Sequence, residues 1–205
     1  MVRQIGSAAE TASPRQWART PRTRAQILAA AEDVFQESGY SEANIADIVE
    51  RAGVSVGSVY HHFGGKAEVY LALWEERQTV AFQATQDAVA AARRSGNLDP
   101  VDQFLQGTRA YLETTWKGRR LTSLFIADDG PPGFEALRRH NAWKWISQNS
   151  TLLGVSDELA GRILVASVTS IIGDGSREIA GTDDAAEAES GIAVVVDFVA
   201  RLLRA

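Results

Sequence analysis

The sequence predicts an all-α protein, and three observations support that class. Apolar residues recur three and four positions apart in one segment after another. Glycines and capping side chains separate these segments, and no run alternates between apolar and polar residues as a half-buried strand does. Of the 205 residues, 45% are hydrophobic, which is enough to form a buried core. We expect a basic arm (1–19), a small three-helix domain (20–66) and a C-terminal helical domain (67–205).

The arm is predicted to be flexible because it lacks apolar periodicity and is rich in Ser, Ala, Thr and Arg. Residues 1–24 contain five arginines and one glutamate, whereas the whole chain has a net charge of -5. The basic charge is therefore concentrated at one end of the sequence. Contact with a polyanion such as DNA must use this arm and a few well-placed groups.

Three helices fit into residues 20–66. The first begins at Thr20–Pro21, because a hydroxyl side chain and a proline both suit a helix start, and it ends at Gly39. Asn44 caps the second helix, and Ser55 caps a short third helix after a tight turn. The second and third helices have the layout of a helix-turn-helix, in which a short second helix enters the major groove of DNA.

The remainder of the chain continues the helical pattern after the Gly64–Gly65 break. Six further helices are predicted at about 66–95, 100–117, 121–127, 134–153, 157–179 and 183–204.

The run TRAQILAAAEDVFQESGYSEANIADIVERAGVSVGSVYHHFGGKAEVYLALW closely resembles the N-terminal domain of the TetR family of regulators. It begins at Thr23, covers about a quarter of the chain, and contains the family elements AGVS, GSVY and HF-x-x-K in order. The resemblance implies a helix-turn-helix fold, a homodimer and an effector-responsive C-terminal domain. It also favours repression, with activation as the alternative.

The same resemblance implies a DNA surface made mostly by the second and third helices. Lys66 matches the family's phosphate-contacting lysine, whereas Val56 departs from a frequent lysine and offers methyl groups to a thymine methyl. Tyr60 is open between core packing and phosphate contact, and Phe63 is expected in the core. The predicted DNA-contacting residues are Arg24, Asn44, Ser55, Val56, Gly57, Ser58, Tyr60, His61, His62 and Lys66.

The C-terminal domain is expected to bind an effector and a second copy of the chain. Few evident buried charges favour a small, largely apolar or aromatic effector, although each aromatic side chain also suits a simple core. The pocket candidates are Phe104, Tyr111, Trp116, Arg120, Phe125, Asn141 and Trp143. The last helix has more apolar surface than packing on one side requires, which indicates contact with a second copy of the chain. The alternative is that it is an ordinary buried helix. The predicted dimer contacts are Ser170, Gly173, Ile192, Val195, Val196, Val199 and Leu203.

Other functions are disfavoured. The chain has no cysteine, and His61–His62 diverge on a helix without further ligands at metal spacing, so we expect no metal and no cofactor. An enzyme would need acid–base groups, for which the candidates are Asp128, Asp129, Asp174, Glu178 and His140, but no nucleophile accompanies them. A helical protein-interaction module is a second alternative. No apolar run reaches membrane-spanning length, so we expect no membrane contact. The absence of cysteine suits a reducing cytoplasm, and the resemblance implies double-stranded operator DNA as a partner.

Overall fold

The computed structural model of the chain describes residues 14–127, 129–156 and 158–204. Within these ranges it is entirely helical apart from turns, which confirms the predicted all-α class. None of the helices there combines the length and the apolar character that a bilayer span requires. The helices are α1 (Pro14–Glu42), α2 (Ile45–Ala52), α3 (Val56–His62), α4 (Lys66–Arg94), α5 (Pro100–Lys117), α6 (Arg119–Ile126), α7 (Phe134–Leu153), α8 (Leu159–Gly181) and α9 (Ala185–Arg204).

The predicted caps and stops account for most of these bounds. Asn44, Ser55 and Asp99 each accept, through a side-chain oxygen, a hydrogen bond from the backbone N–H three residues later, at 3.1, 3.2 and 2.9 Å. Gly39 and Gly53 have φ of 77° and 64°, a left-handed conformation that interrupts a helix and favours glycine.

The predicted arm is shorter than expected, because α1 begins at Pro14 and residues 14–19 are helical. Pro14 occupies the first turn, where its missing N–H costs no hydrogen bond, and the following residues include the good helix formers Arg, Gln and Ala. Pro21, which we expected at the helix start, lies inside α1. The first 13 residues of the predicted arm lie outside the described residues.

The first hydrophobic core joins the helix-turn-helix to α4, α6 and the start of α7. Packing therefore continues beyond residue 66, and the domain boundary placed there stays a prediction. The buried side chains of this core include Ile27, Leu28, Val34, Phe35, Ile48, Val59, Val69, Tyr70, Leu73, Trp74, Leu121, Leu124, Phe125 and Phe134.

The second core lies between α5, α8 and α9, and it corrects the predicted dimer face. Ile192, Val195 and Val199 are buried within their own protomer, while Val196 and Leu203 pack partly buried against the same core. The sequence offers two apolar stripes on α9, and the stripe that we assigned to a partner is the one that packs inward. The outer stripe consists of Val194, Phe198 and Leu202, which are 47%, 53% and 38% exposed.

Helices α8 and α9 approach closely at Gly175, a residue that the sequence analysis did not single out, and the predicted dimer contacts Ser170 and Gly173 stay a prediction. A Cβ added at Gly175 would lie 2.4 Å from Cγ2 of Val195, so only glycine fits this contact. A Cβ at Gly173 would meet nothing within 4 Å, and Ser170 is exposed. The thin, outward side of α8 is therefore a surface in this protomer.

Candidate nucleic-acid interface

Helix α3 is held on the protein by one buried side chain and a compact turn. Val59 is fully buried in the first core. The α2–α3 turn is closed by backbone hydrogen bonds from Gly53 N–H to Glu50 O and from Val54 N–H to Val49 O, both at 3.3 Å. A seven-residue helix anchored in this way leaves the side opposite Val59 accessible.

Most of the predicted contact residues of α2 and α3 lie on that accessible side. Val56 and Tyr60 are 48% and 54% exposed, so Tyr60 is not a core residue, whereas Phe63 packs against the first core as expected. Among the described residues, a Cβ added at Gly57 would meet only Oγ of Ser55, at 3.8 Å, so none of their contacts requires a glycine there. Asn44, Ser55, Gly57 and His61 are exposed, and Ser58 and His62 are half-buried.

Arg24 lies beside this surface. Its guanidinium carbon is 4.4 Å from the centre of the Phe63 ring, a cation–π contact between α1 and the residue that ends α3. Stacking uses the face of the guanidinium and leaves its N–H groups at the edge. Arg24 is therefore placed where it can donate hydrogen bonds to a phosphate next to α3.

Lys66 has a different role from the phosphate contact that we expected. Its Nζ donates to the backbone carbonyls of Tyr40, Ser41 and Ala43 at 2.7, 3.2 and 2.8 Å. It also lies 4.5 Å from the centre of the Tyr40 ring. Because an ammonium group has three donors, all of them are engaged within the chain. Lys66 fastens the start of α4 to the α1–α2 junction.

Asp129 contacts the same junction and was considered in the sequence only as a weak acid–base candidate. Its carboxylate accepts from the backbone N–H of Ser41 at 3.0 and 3.2 Å, and from the Ser41 hydroxyl. The hydrogen bonds from Ser41, with Lys66 nearby, hold the pKa of Asp129 below its ordinary value. This carboxylate is thus a hydrogen-bond acceptor for a backbone turn. Ser41 carries no sequence signal that pairs it with a residue 88 positions away.

The predicted effector pocket is only partly assembled. Phe104 and Tyr111 border a cavity of about 20 Å³, together with Gly107, Thr108 and Trp145 and two residues of α4, Thr85 and Val89. The buried hydroxyl of Thr108 has no hydrogen-bond partner among the residues that the structure describes. A cavity of this size holds one water molecule. It is therefore a small, partly open site that contains one polar group without a partner among the described residues.

The other pocket candidates are dispersed. Phe125 belongs to the first core, with its ring centre 5.2 Å from that of Tyr70. The indole N–H of Trp116 donates to Thr182 O at 3.2 Å. Arg120 is exposed and Asn141 is half-buried, and the side chain of Trp143 lies outside the described residues.

A buried charge that the sequence did not indicate lies at the end of α5. Nη2 of Arg77 donates to Thr114 O at 2.8 Å, and its buried Nε has no partner in the described part of the chain. Burial lowers the pKa of this guanidinium. Gly118 permits the approach, because a Cβ there would lie 2.9 Å from Nε. A cation beside the last carbonyls of a helix also balances the negative end of the helix dipole.

A second concave site is a polar groove of about 400 Å³ between α1 and α2. Arg51 and Glu37 cross it with two hydrogen bonds of 2.8 Å, and Asp47 and Glu50 also line it. This acidic groove does not suit a polyanion. Among the described residues, no three His, Cys, Asp or Glu side chains are grouped so that they could hold a metal ion.

Comparisons with known proteins place the N-terminal region. Residues 27–73 match the family model described as bacterial regulatory proteins, tetR family. The probable HTH-type transcriptional regulator ArpR of Pseudomonas putida is 42% identical over 80 residues, which are 38% of this chain and 36% of the relative. The HTH-type transcriptional activator FasR of Mycolicibacterium smegmatis is 34% identical over 104 residues, 50% of this chain and 37% of the relative. The chain thus spans little more than a third of the length of these relatives.

The whole fold also has solved counterparts. Native NalD, described as the secondary repressor of the MexAB-OprM multidrug efflux pump in Pseudomonas aeruginosa, aligns with a TM-score of 0.68 at 20% identity. The alignment covers 89% of this chain and 96% of NalD, and at this identity the likeness concerns the fold. The resemblance seen in the sequence is confirmed for residues 27–73, which match the family model described as bacterial regulatory proteins, tetR family, and the matched relatives are described as transcriptional regulators and not as enzymes.

Proposed function

We propose that this chain is a transcriptional regulator that binds double-stranded operator DNA through α3. The observation that carries this proposal is the exposed side of α3, where Val56, Tyr60 and His61 project beside a buried Val59 anchor. A helix of seven residues presented in this way fits the major groove. At Gly57, where no contact with another described residue requires a glycine, the missing side chain lets the DNA backbone approach.

We propose that residues beside the exposed side of α3 contact the DNA phosphates. Arg24 and Asn44 lie beside α3, and the arginines of the N-terminal arm supply further positive charge. Lys66 is not among them, because its three donors are engaged at the α1–α2 junction. Val56, Ser58 and His61 are the side chains that we expect at base edges.

The partner at the opposite end of the molecule is a second copy of the chain. The outer stripe of α9 and the outward side of α8, which carries exposed Ile163, form an apolar surface on this protomer. Pairing these helices across a twofold axis covers the surface. It also sets two α3 helices at the spacing of successive major grooves, about 34 Å.

Regulation by a small effector is the finer part of the proposal. The small cavity at Thr108 is bordered by the rings of Phe104, Tyr111 and Trp145, which suits a largely apolar or aromatic molecule with one hydrogen-bonding group. Opening this cavity would move α4 and α5, and α4 begins at the DNA-binding region. We infer repression relieved by the effector, so that effector and operator antagonise each other. The alternative is activation, as the name of FasR states for that relative.

Selection from a randomised duplex library with the purified chain tests the DNA-binding proposal. We expect enrichment of one sequence with twofold symmetry, with binding that weakens steeply as salt rises. Tyr60→Ala should lose at least about tenfold in affinity for that sequence. Phe82→Ala is the matched control, because Phe82 is an equally exposed aromatic residue on α4, and it should bind as the unaltered chain does. No enrichment, or equal loss in both variants, would contradict the proposal.

A thermal-shift screen with the same protein tests the effector. Apolar or aromatic ligands should raise the unfolding midpoint and weaken binding to the selected duplex. The effect should shrink in Thr108→Val, which keeps the side-chain volume and removes the hydroxyl. Ligands that stabilise the protein and leave its DNA affinity unchanged would exclude the antagonism, and binding of highly charged ligands alone would exclude an apolar effector.

A further inference from the structure

The α1–α2 junction is held from two directions. Lys66 donates to three of its carbonyls from the start of α4, as described above. The carboxylate of Asp129, in the segment between α6 and α7, accepts the N–H and the hydroxyl of Ser41 on the other side. One group thus satisfies backbone acceptors and the other satisfies a backbone donor. The two come from parts of the chain more than 60 residues apart.

Gly39 makes the Asp129 contact possible. Its φ of 77° turns the chain at the end of the regular part of α1, and a side chain there would be strained. A Cβ at this position would also lie 2.5 Å from Oδ2 of Asp129. The backbone of the junction and the carboxylate are therefore fitted to each other.

The segment that carries Asp129 is itself tied to the rest of the molecule. The hydroxyl of Tyr70, on α4, lies 3.3 Å from Leu124 O and 3.5 Å from Asp129 O. The Phe134 ring packs edge-on against Tyr70, with 5.1 Å between ring centres. Arg138, on α7, donates to Phe125 O at 2.6 Å and so fixes the end of α6. A shift of α6 or α7 would therefore move Asp129.

We propose that Asp129 is a positioning residue that sets the orientation of α2 and α3 relative to the C-terminal domain. The consequence for DNA affinity rests on the proposed function. Helix α6 packs against α8 of the C-terminal domain, and Leu121, Leu124 and Phe125 of α6 pack in the first core. A rearrangement in the C-terminal domain therefore reaches the helix-turn-helix through Asp129 and Ser41, separately from the α4 route that ends at Lys66.

The test compares Asp129→Ala, Asp129→Asn and Ser41→Ala with the unaltered chain. Asp183→Ala is the matched control, because Asp183 is an exposed carboxylate that pairs with Arg119 at 2.8 Å, away from the junction. Three quantities are measured: the unfolding midpoint, the affinity for the selected duplex, and hydrogen exchange of the amides in residues 39–62. The exchange measurement needs no DNA.

In Asp129→Ala we expect faster hydrogen exchange at Ser41 and in α2 and α3. We also expect DNA affinity to fall about tenfold, because the variant loses a charged hydrogen-bond partner of the backbone. Asp129→Asn should recover part of both, since its amide oxygen still accepts from Ser41. Ser41→Ala, which keeps the backbone N–H, should have a smaller effect, and Asp183→Ala none.

Two results would overturn the positioning role. One is unchanged exchange in residues 39–62 of Asp129→Ala. The other is a fall in the DNA affinity of Asp129→Ala that is fully explained by a larger unfolded fraction of the protein and that Asp129→Asn does not recover. If the unaltered chain binds no duplex, the proposed function fails, and the exchange data still decide the role of Asp129 in orienting α2 and α3.

Discussion

Helices α3 and α9 both expose apolar side chains, yet they present different surfaces. On α3, Val56 and Tyr60 alternate with glycine, serine and histidine, and a single residue, Val59, holds the helix to the core. On α9, one apolar stripe fills the second core, while a second stripe stays outside with an Asp197–Arg201 ion pair of 2.7 Å beside it. A mixed exposed face suits DNA, whereas a continuous apolar face suits another protein surface.

The two helices also differ in how well their sequences predict which face is buried. Helices α2 and α3 each have one apolar stripe, so the inward side is unambiguous. Helix α9 has two stripes, and periodicity cannot rank them. Only contact with α5 and α8 decides that Ile192, Val195 and Val199 point inward.

The largest expected effect is a difference in stability between substitutions at two neighbouring residues of α9. Val199→Asp places a carboxylate in the second core, and we expect a loss of about 4 kcal/mol or more in the free energy of unfolding. Phe198→Asp, one residue earlier on the exposed stripe, should leave a folded protomer and weaken self-association. Denaturant titration and sedimentation distinguish the two. A folded Val199→Asp, or an unfolded Phe198→Asp, would reverse our assignment of the α9 faces.

A smaller effect is expected where α8 meets α9. Gly175→Ala forces a methyl group against Val195 and should cost about 1–3 kcal/mol. Gly173→Ala, two residues away in open space on the same helix, should stabilise the protomer by about 0.5–1 kcal/mol, because alanine favours a helix more than glycine does. Urea unfolding of both variants measures the difference. Equal stabilities would contradict the close α8–α9 approach.

The cap of α3 is the next test in order of size. Ser55→Ala removes the acceptor of the Ser58 N–H bond and should lower stability by about 1 kcal/mol. Ser55→Thr keeps the hydroxyl and should recover most of the loss. Thermal unfolding without DNA isolates this effect from any contact with an operator. If both variants lose equal stability, the cap is not the cause.

The smallest expected effect is at the exposed Arg51–Glu37 pair. Both ion-pair partners are solvated, and their pKa values are shifted in the directions that favour the charged forms, raised for Arg51 and lowered for Glu37. A double-mutant cycle with Arg51→Ala and Glu37→Ala should give a coupling smaller than the effect of Ser55→Ala, and salt should reduce it further. A coupling that exceeds the cap effect, or that persists in high salt, would mean that this pair helps to hold α2 in place.

The part of the candidate site that could be predicted from the sequence is the part formed by residues close together in the chain. The exposed side of α3 follows from a seven-residue helix between Ser55 and Phe63 with Val59 as its inward residue. The roles of Lys66 and Asp129 could not be predicted, since both depend on backbone groups of Tyr40 and Ser41 that lie far away in the sequence. The same holds for the burial of Arg77, because nothing in its neighbouring residues indicates the carbonyl of Thr114.

The sequence by itself determined the helical class, most helix ends and the resemblance of the N-terminal region to the TetR family, because caps, glycine stops, apolar period and short motifs act within a few residues. Asn44, Gly53 and Ser55 have their predicted roles for that reason. The tertiary structure alone decided which stripe of α9 is buried, that Gly175 marks the close contact between α8 and α9, and that Asp129 and Lys66 fix the α1–α2 junction. These features depend on the relative placement of distant segments, which the packing of two hydrophobic cores sets.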